Sequence, residues 1–152
     1  MPPASDPRQR AWARFVVAHA LLNERIEEAL AEAGLPPLAW YDVLWTLESA
    51  EHGRLRMADL ARKVILSRSN VTRLADRLEK AKLVSRADCP VDGRGTVCAL
   101  TDAGRRMRGR MWPVYRKQIE VLFGRHLDDK DAERTIAAFE RMIDSLKERS
   151  TS

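Results

Sequence analysis

Cysteine is nearly absent from this sequence: 152 residues hold two, Cys89 and Cys98. That is too few for the disulfide framework of a small secreted domain. Histidine is almost as scarce, and His19, His52 and His126 share no ligand or catalytic spacing with the cysteines or the acids, so neither a zinc set nor a catalytic constellation is expected. The seven glycines form no phosphate-cradling loop and no nucleophile elbow, which removes the common anchors of an enzyme reading. No apolar run approaches the roughly 18 residues that cross a bilayer. Residues 2–7 are polar and do not read as a signal peptide. The expectation is a soluble, cytoplasmic chain with no membrane partner, metal or cofactor. Repeats and long linkers are also missing, so residues 1–152 read as a single domain.

What the sequence has is positive charge in one place. Residues 54–110 carry 15 Lys/Arg against 6 Asp/Glu, while the remainder carries 12 against 16. The basic middle is either a solvated surface or the footprint of a polyanion, with nucleic acid the first candidate.

Hydrophobic periodicity predicts six helices. Trp12, Phe15, Val16, Leu22, Ile26 and Leu30 recur at helical spacing over residues 8–33, ended by Gly34 and Pro36-Pro37. A second helix is expected at about 38–50, a minimal strand at 54–56 and a short helix at 58–64. After a tight link at 65–67, a fourth helix runs to about residue 82. Its apolar face is Val71, Leu74, Ala75 and Leu78, and its other face carries Arg68, Ser69, Asn70, Thr72, Arg73 and Arg77. Two short helices with a brief link, the second basic on its outside, form a helix-turn-helix pattern. Strand-like runs at 83–87 and 96–100 then flank Asp-Gly-Arg-Gly. Thr101 is placed to cap a long fifth helix in which Pro113 predicts a bend near Gly109. A sixth helix starts after an Asp128 cap.

A two-stranded hairpin is marginal by itself. Placed directly after a basic helix-turn-helix, it reads as a wing. The recognition helix would enter the major groove, and the hairpin would offer Arg94 to the neighbouring minor groove. Asp92 is placed to stiffen the tip by accepting bonds from the turn backbone or from Arg94.

The stretch SRSNVTRLADRLEKAKLVSRADCPVDGRGTVCALTDAG resembles the DNA-binding core of MarR-type transcriptional regulators. The resemblance rests on Ser67–Leu74, Leu78-Glu79-Lys80, the Asp92-x-Arg94 tip and Leu-Thr-Asp-Ala-Gly at 100–104. It implies a mainly α fold: a winged helix-turn-helix with a two-stranded wing at 54–101, and dimerisation helices at 8–33 and 105–148. Lys82 stands where the family usually has glycine.

By the same resemblance, Ser69, Asn70, Thr72 and Arg73 would read bases. The chemistry agrees, since Asn suits adenine and Arg suits guanine. Arg68 and Arg77 would hold phosphates, with Arg62, Lys63 and Arg86 as further candidates. Arg77 has a second reading as a solvated or locally paired cation. The first and last helices would form a homodimer through Phe15, Leu22 and Ile26 with Ile136, Phe139, Met142 and Leu146, unless these build a monomeric core. A small lipophilic or aromatic effector would meet Trp12, His19, Asp42, Trp45, Met111 and Tyr115. For His19 and the aromatic residues, ordinary core packing is the competing reading.

These readings converge on a sequence-specific regulator of double-stranded DNA with a pseudo-palindromic operator, acting as a repressor that an effector releases. Two alternatives stay open. A winged helix also serves as a protein-interaction module. And if the hairpin is centred on Gly93-Arg94, Cys89 faces Cys98, which admits a thiol-based redox sensor.

Overall fold

Residues 6–65, 70–89 and 95–149 are described by the structure, a computed structural model. The chain packs as two compact units, residues 1–116 and 117–152.

The first unit opens with α1 (Pro7–Glu32), where the Asp6 carboxylate accepts the Arg8 N–H at 2.9 Å and proline occupies the first turn. Glu27 of α1 reaches the start of α2 (Leu38–Glu48) and accepts the Leu38 N–H at 3.0 Å, supplying the cap that Pro37 cannot. Leu38, Tyr41, Val43, Leu44 and Leu47 of α2 are all buried. This nearly all-round apolarity makes α2 the element on which the others pack. A 3-10 turn at Glu51–Gly53 leads into β1 (Arg54–Arg56), followed by α3 (Met57–Lys63) and α4 (Val71–Lys80). Then come β2 (Val84–Asp88), β3 (Thr96–Leu100) and α5 (Asp102–Gln118).

The wing is a three-stranded sheet rather than a two-stranded one. Its order is β1-β3-β2, with Leu55 opposite Cys98 and Cys98 opposite Arg86. The minimal strand at 54–56 is thus the third strand that a lone hairpin needs. Val43, Leu44 and Leu47 of α2 join Leu60, Val64, Val71, Leu74, Leu78, Leu83, Val84 and Cys98 in one core beneath this sheet. A second core gathers Ile26 and Leu30 of α1 with Leu38, Tyr41 and Met111.

The register corrects the expected cysteine pairing. Cys98 lies opposite Arg86, and the Cys89 N–H donates to the Gly95 carbonyl at 3.1 Å. The hairpin closes three residues away from the alignment that would oppose the two thiols. An odd offset places them on opposite faces of the strand pair. Cys98 is fully buried, and burial pushes its thiol up to about 11.

Two backbone sites explain the junction between α4, the wing and α5. Lys82 adopts φ 61°, and the bonds Lys82 N–H to Glu79 O and Leu83 N–H to Leu78 O close α4. The lysine therefore takes the left-handed conformation that glycine adopts without strain. The Thr101 hydroxyl donates to the Lys82 carbonyl at 2.7 Å and accepts the Gly104 N–H at 3.0 Å. At Gly104, α5 passes so close to the wing that a Cβ would lie 2.1 Å from the Leu83 carbonyl oxygen. The α5 helix continues through Pro113 to Gln118.

In the second unit, a π-helical turn (Ile119–Phe123) and a 3-10 turn (Gly124–His126) precede α6 (Asp129–Arg149). Asp128 caps α6, accepting the Asp131 N–H at 2.8 Å.

Candidate nucleic-acid interface

The interface begins with the period of α4. Val71, Leu74, Ala75 and Leu78 turn inward and are buried. The opposite face is set by the same 3.6-residue repeat, and it exposes Asn70, Thr72, Arg73, Asp76, Arg77 and Lys80. Asn70, Arg73 and Arg77 border a hollow of about 220 Å³ closed by Leu74 and by Ala39 of α2. Among the described residues, no salt bridge or side-chain hydrogen bond takes up the Arg73 or Arg77 guanidinium. Both remain available for an anion or a base edge. Asp42 accepts the Ile65 N–H at 2.8 Å just beyond the end of α3. The expected contacts Arg68, Ser69, Asp92 and Arg94 lie outside the described residues.

Arg86 departs from its expected role on a phosphate. Its Nη2 meets Asp76 Oδ1 at 2.5 Å and Glu79 Oε1 at 3.0 Å, and its backbone N–H donates to Glu79 Oε2 at 2.9 Å. Its side chain is only 21% exposed. The carboxylates hold the guanidinium pKa up, and Arg86 in turn holds the Glu79 carboxyl below its ordinary value. Both acids engage Nη2 alone, so what they take from Arg86 is its net charge more than its remaining donors. Arg62 is likewise paired, with Asp59 one turn earlier on α3.

The residues expected around an effector fall into three places. Trp12 and His19 lie exposed on α1, in a ring series in which Trp12 and Phe15 are 5.9 Å apart and Phe15 and His19 6.0 Å. Met111 is fully buried in the second core, which removes it from any surface a ligand reaches. Tyr115 packs edge-on against Tyr41 at 5.2 Å, and burial raises the pKa of its phenol. Asp42 and Trp45 do come together, beside Thr46, Ser49, Ala50, Lys63 and Ile65, around an open hollow of about 250 Å³. The Arg108 guanidinium covers the Trp45 ring at 5.5 Å.

Of the expected dimer residues, Ile26 is buried within its own unit against Leu30, Leu38, Tyr41 and Met111, so it is a core residue here. Phe15, Ile136, Phe139, Met142 and Leu146 are exposed, and Leu22 is half-buried. Lys80 was not singled out from the sequence, although the period from Arg73 places it on the same outward ridge. Asp76 and Glu79 as partners of Arg86 carried no sequence signal, because the pairing crosses from helix to sheet. No helix among the described residues is long and apolar enough to cross a membrane.

Comparison with known proteins gives this geometry relatives. The sequence profile of the MarR family matches residues 33–95. The HTH-type transcriptional regulator YfiV of Bacillus subtilis is 41% identical over 105 residues, 68% of this chain and 62% of its own length. AbsC, a MarR family transcriptional regulator from Streptomyces coelicolor, superposes with a TM-score of 0.84 at 28% identity over 97% of this chain and 99% of its own. Sco3205, a MarR family transcriptional regulator from the same organism solved in complex with DNA, gives a TM-score of 0.81 at 27% identity over 93% of this chain and 91% of its own. The curated relatives matched at 34% and 41% identity are longer than the match, which spans 52% and 62% of their lengths. The helix-turn-helix, the sheet that follows it and the matching of nearly the whole chain by these structures agree in one direction: the chain is similar to the MarR family in the profile match over residues 33–95 and in its fold.

Proposed function

We propose that this protein is a sequence-specific, double-stranded-DNA-binding transcriptional regulator that works as a homodimer on a pseudo-palindromic operator. The observation that carries this reading is the outward face of α4, where Arg73 and Arg77 stand exposed and unpaired among the described residues beside Asn70 and Thr72. An exposed guanidinium on a helix that fits the major groove offers bidentate bonds to guanine or to phosphate. The DNA-bound state of the Streptomyces coelicolor neighbour supports the same use of the fold.

Repression released by a small lipophilic or aromatic effector is the regulatory form we assign to it. The hollow beside Trp45, with Lys63 at its edge, is the place for that ligand. An aromatic acid would stack on the indole and present its carboxylate to the ammonium.

Selection of bound duplexes from a random library, followed by anisotropy titrations at two salt concentrations, tests the proposal. A DNA reader enriches a two-fold symmetric motif and loses affinity steeply with salt as phosphate contacts release counterions. No enrichment and no binding at low salt would leave the protein-interaction reading standing instead.

A further inference from the structure

The DNA-facing side of α4 contains a feature at odds with a polyanion partner. Opposite the buried face centred on Leu74 and Leu78, the outward ridge is Arg73, Asp76 and Lys80. Asp76 therefore sits between two cations, with its side chain 53% exposed, and Glu79 follows on the adjoining flank at 40%. Two bare carboxylates there would repel phosphates on either wall of a groove. Both instead meet one guanidinium, which comes from the middle of β2 and not from α4 itself. Arg86 is shielded where its partners are not, at 21% exposure. Its backbone N–H on Glu79 at 2.9 Å keeps that carboxylate turned toward the sheet.

We propose that Arg86 is the internal counter-ion of the recognition helix: it masks Asp76 and Glu79 so that α4 can approach DNA, and it makes no contact with DNA itself. The inference rests on the DNA-binding reading above and adds a role for a residue that reading leaves unused. Its mechanism is charge cancellation. That separates it from a phosphate contact, which acts directly on DNA, and from a strap, which acts through the geometry of the ion pairs.

A double-mutant cycle on the full chain separates the three. The operator probe is a duplex recovered by selection, and the variants are Arg86→Gln, Asp76→Asn with Glu79→Gln, and all three changes together. Thermal unfolding is followed in parallel to confirm that each variant is folded. Masking predicts that Arg86→Gln weakens binding about tenfold, by baring two like charges beside the phosphates. It predicts that the Asp76→Asn and Glu79→Gln protein binds as well as wild type or better, although its ion pairs are gone. In that background, Arg86→Gln then costs little. An equal loss from Arg86→Gln in both backgrounds would make Arg86 a phosphate ligand and overturn the proposal. A loss in the Asp76→Asn and Glu79→Gln protein as large as that of Arg86→Gln would make the pair a geometric strap and overturn it as well. If wild type selects no duplex at all, the DNA-binding reading falls first, and this inference falls with it.

Discussion

At Gly104 the absence of a side chain is a packing requirement. A Cβ would sit 2.1 Å from the backbone oxygen of Leu83, and backbone cannot step aside as a flexible side chain can. Gly104→Ala should destabilise the fold by at least about 1–3 kcal/mol through overpacking, read as a lower urea midpoint. Lys82 makes the opposite case. Its φ of 61° is left-handed, and its carbonyl is already engaged by Thr101. Lys82→Gly should stabilise by about 1 kcal/mol by relieving that conformation while leaving the Thr101 bond in place. An unchanged or lower urea midpoint would show that the lysine side chain compensates elsewhere. Cys98 shows why composition cannot settle reactivity. Two cysteines ten positions or fewer apart near a hairpin invite a redox reading, yet this thiol has no exposure and a pKa of about 11, so it stays protonated at neutral pH.

Among the elements, the helices were the legible part. Their apolar periods placed α1, α2, α3 and α4 within a few residues of where they lie, because burial on one face imposes the repeat that the sequence displays. The wing was legible as a hairpin and not as a sheet. Three residues in β1 carry too little alternation to announce a partner some forty residues away. Centring the tip on the glycine-flanked arginine gives a register three residues off, since β2 and β3 pair with Asp88 opposite Thr96. In the sequence Arg86 reads as any basic residue of a basic region, because its partners lie across the α4–β2 junction. That junction carries a pH signature. Pairing with Arg86 lowers the Glu79 pKa from its ordinary 4.5. Its contribution to stability is therefore complete above the unfolded carboxyl's range and is lost as pH falls through the lowered folded value. Wild type should lose more stability than Arg86→Gln between neutral pH and that acid range. Parallel pH dependence of the two midpoints would mean that the pair contributes nothing to folding, as exposed ion pairs often do.

For the whole molecule, the open question posed by the surface is what covers its apolar helices. On α1, Trp12, Phe15 and Val16 share a face and are each about 40–60% exposed, and on α6 so are Ile136, Met142 and Ile143. Each of these helices has an apolar face larger than the scattered single residues that need no explanation. The homodimer proposed above would cover these faces with a second copy of the chain, the arrangement that a pseudo-palindromic operator would call for. A two-fold dimer presents its recognition helices to half-sites about 34–36 Å apart, one helical turn of DNA. Coupling two half-sites in one particle raises affinity through effective concentration, by about 10²–10⁴ over a single module. Ile136→Glu combined with Met142→Glu places two charges on the exposed face of α6 and touches no buried residue. The variant should remain folded by circular dichroism, sediment as a monomer at micromolar concentration, and bind a full operator with roughly the affinity of an isolated half-site. Wild type should sediment as a dimer under the same conditions. A monomeric wild type that still binds the full operator tightly would refute the dimer, and it would return the exposed faces of α1 and α6 to some other partner.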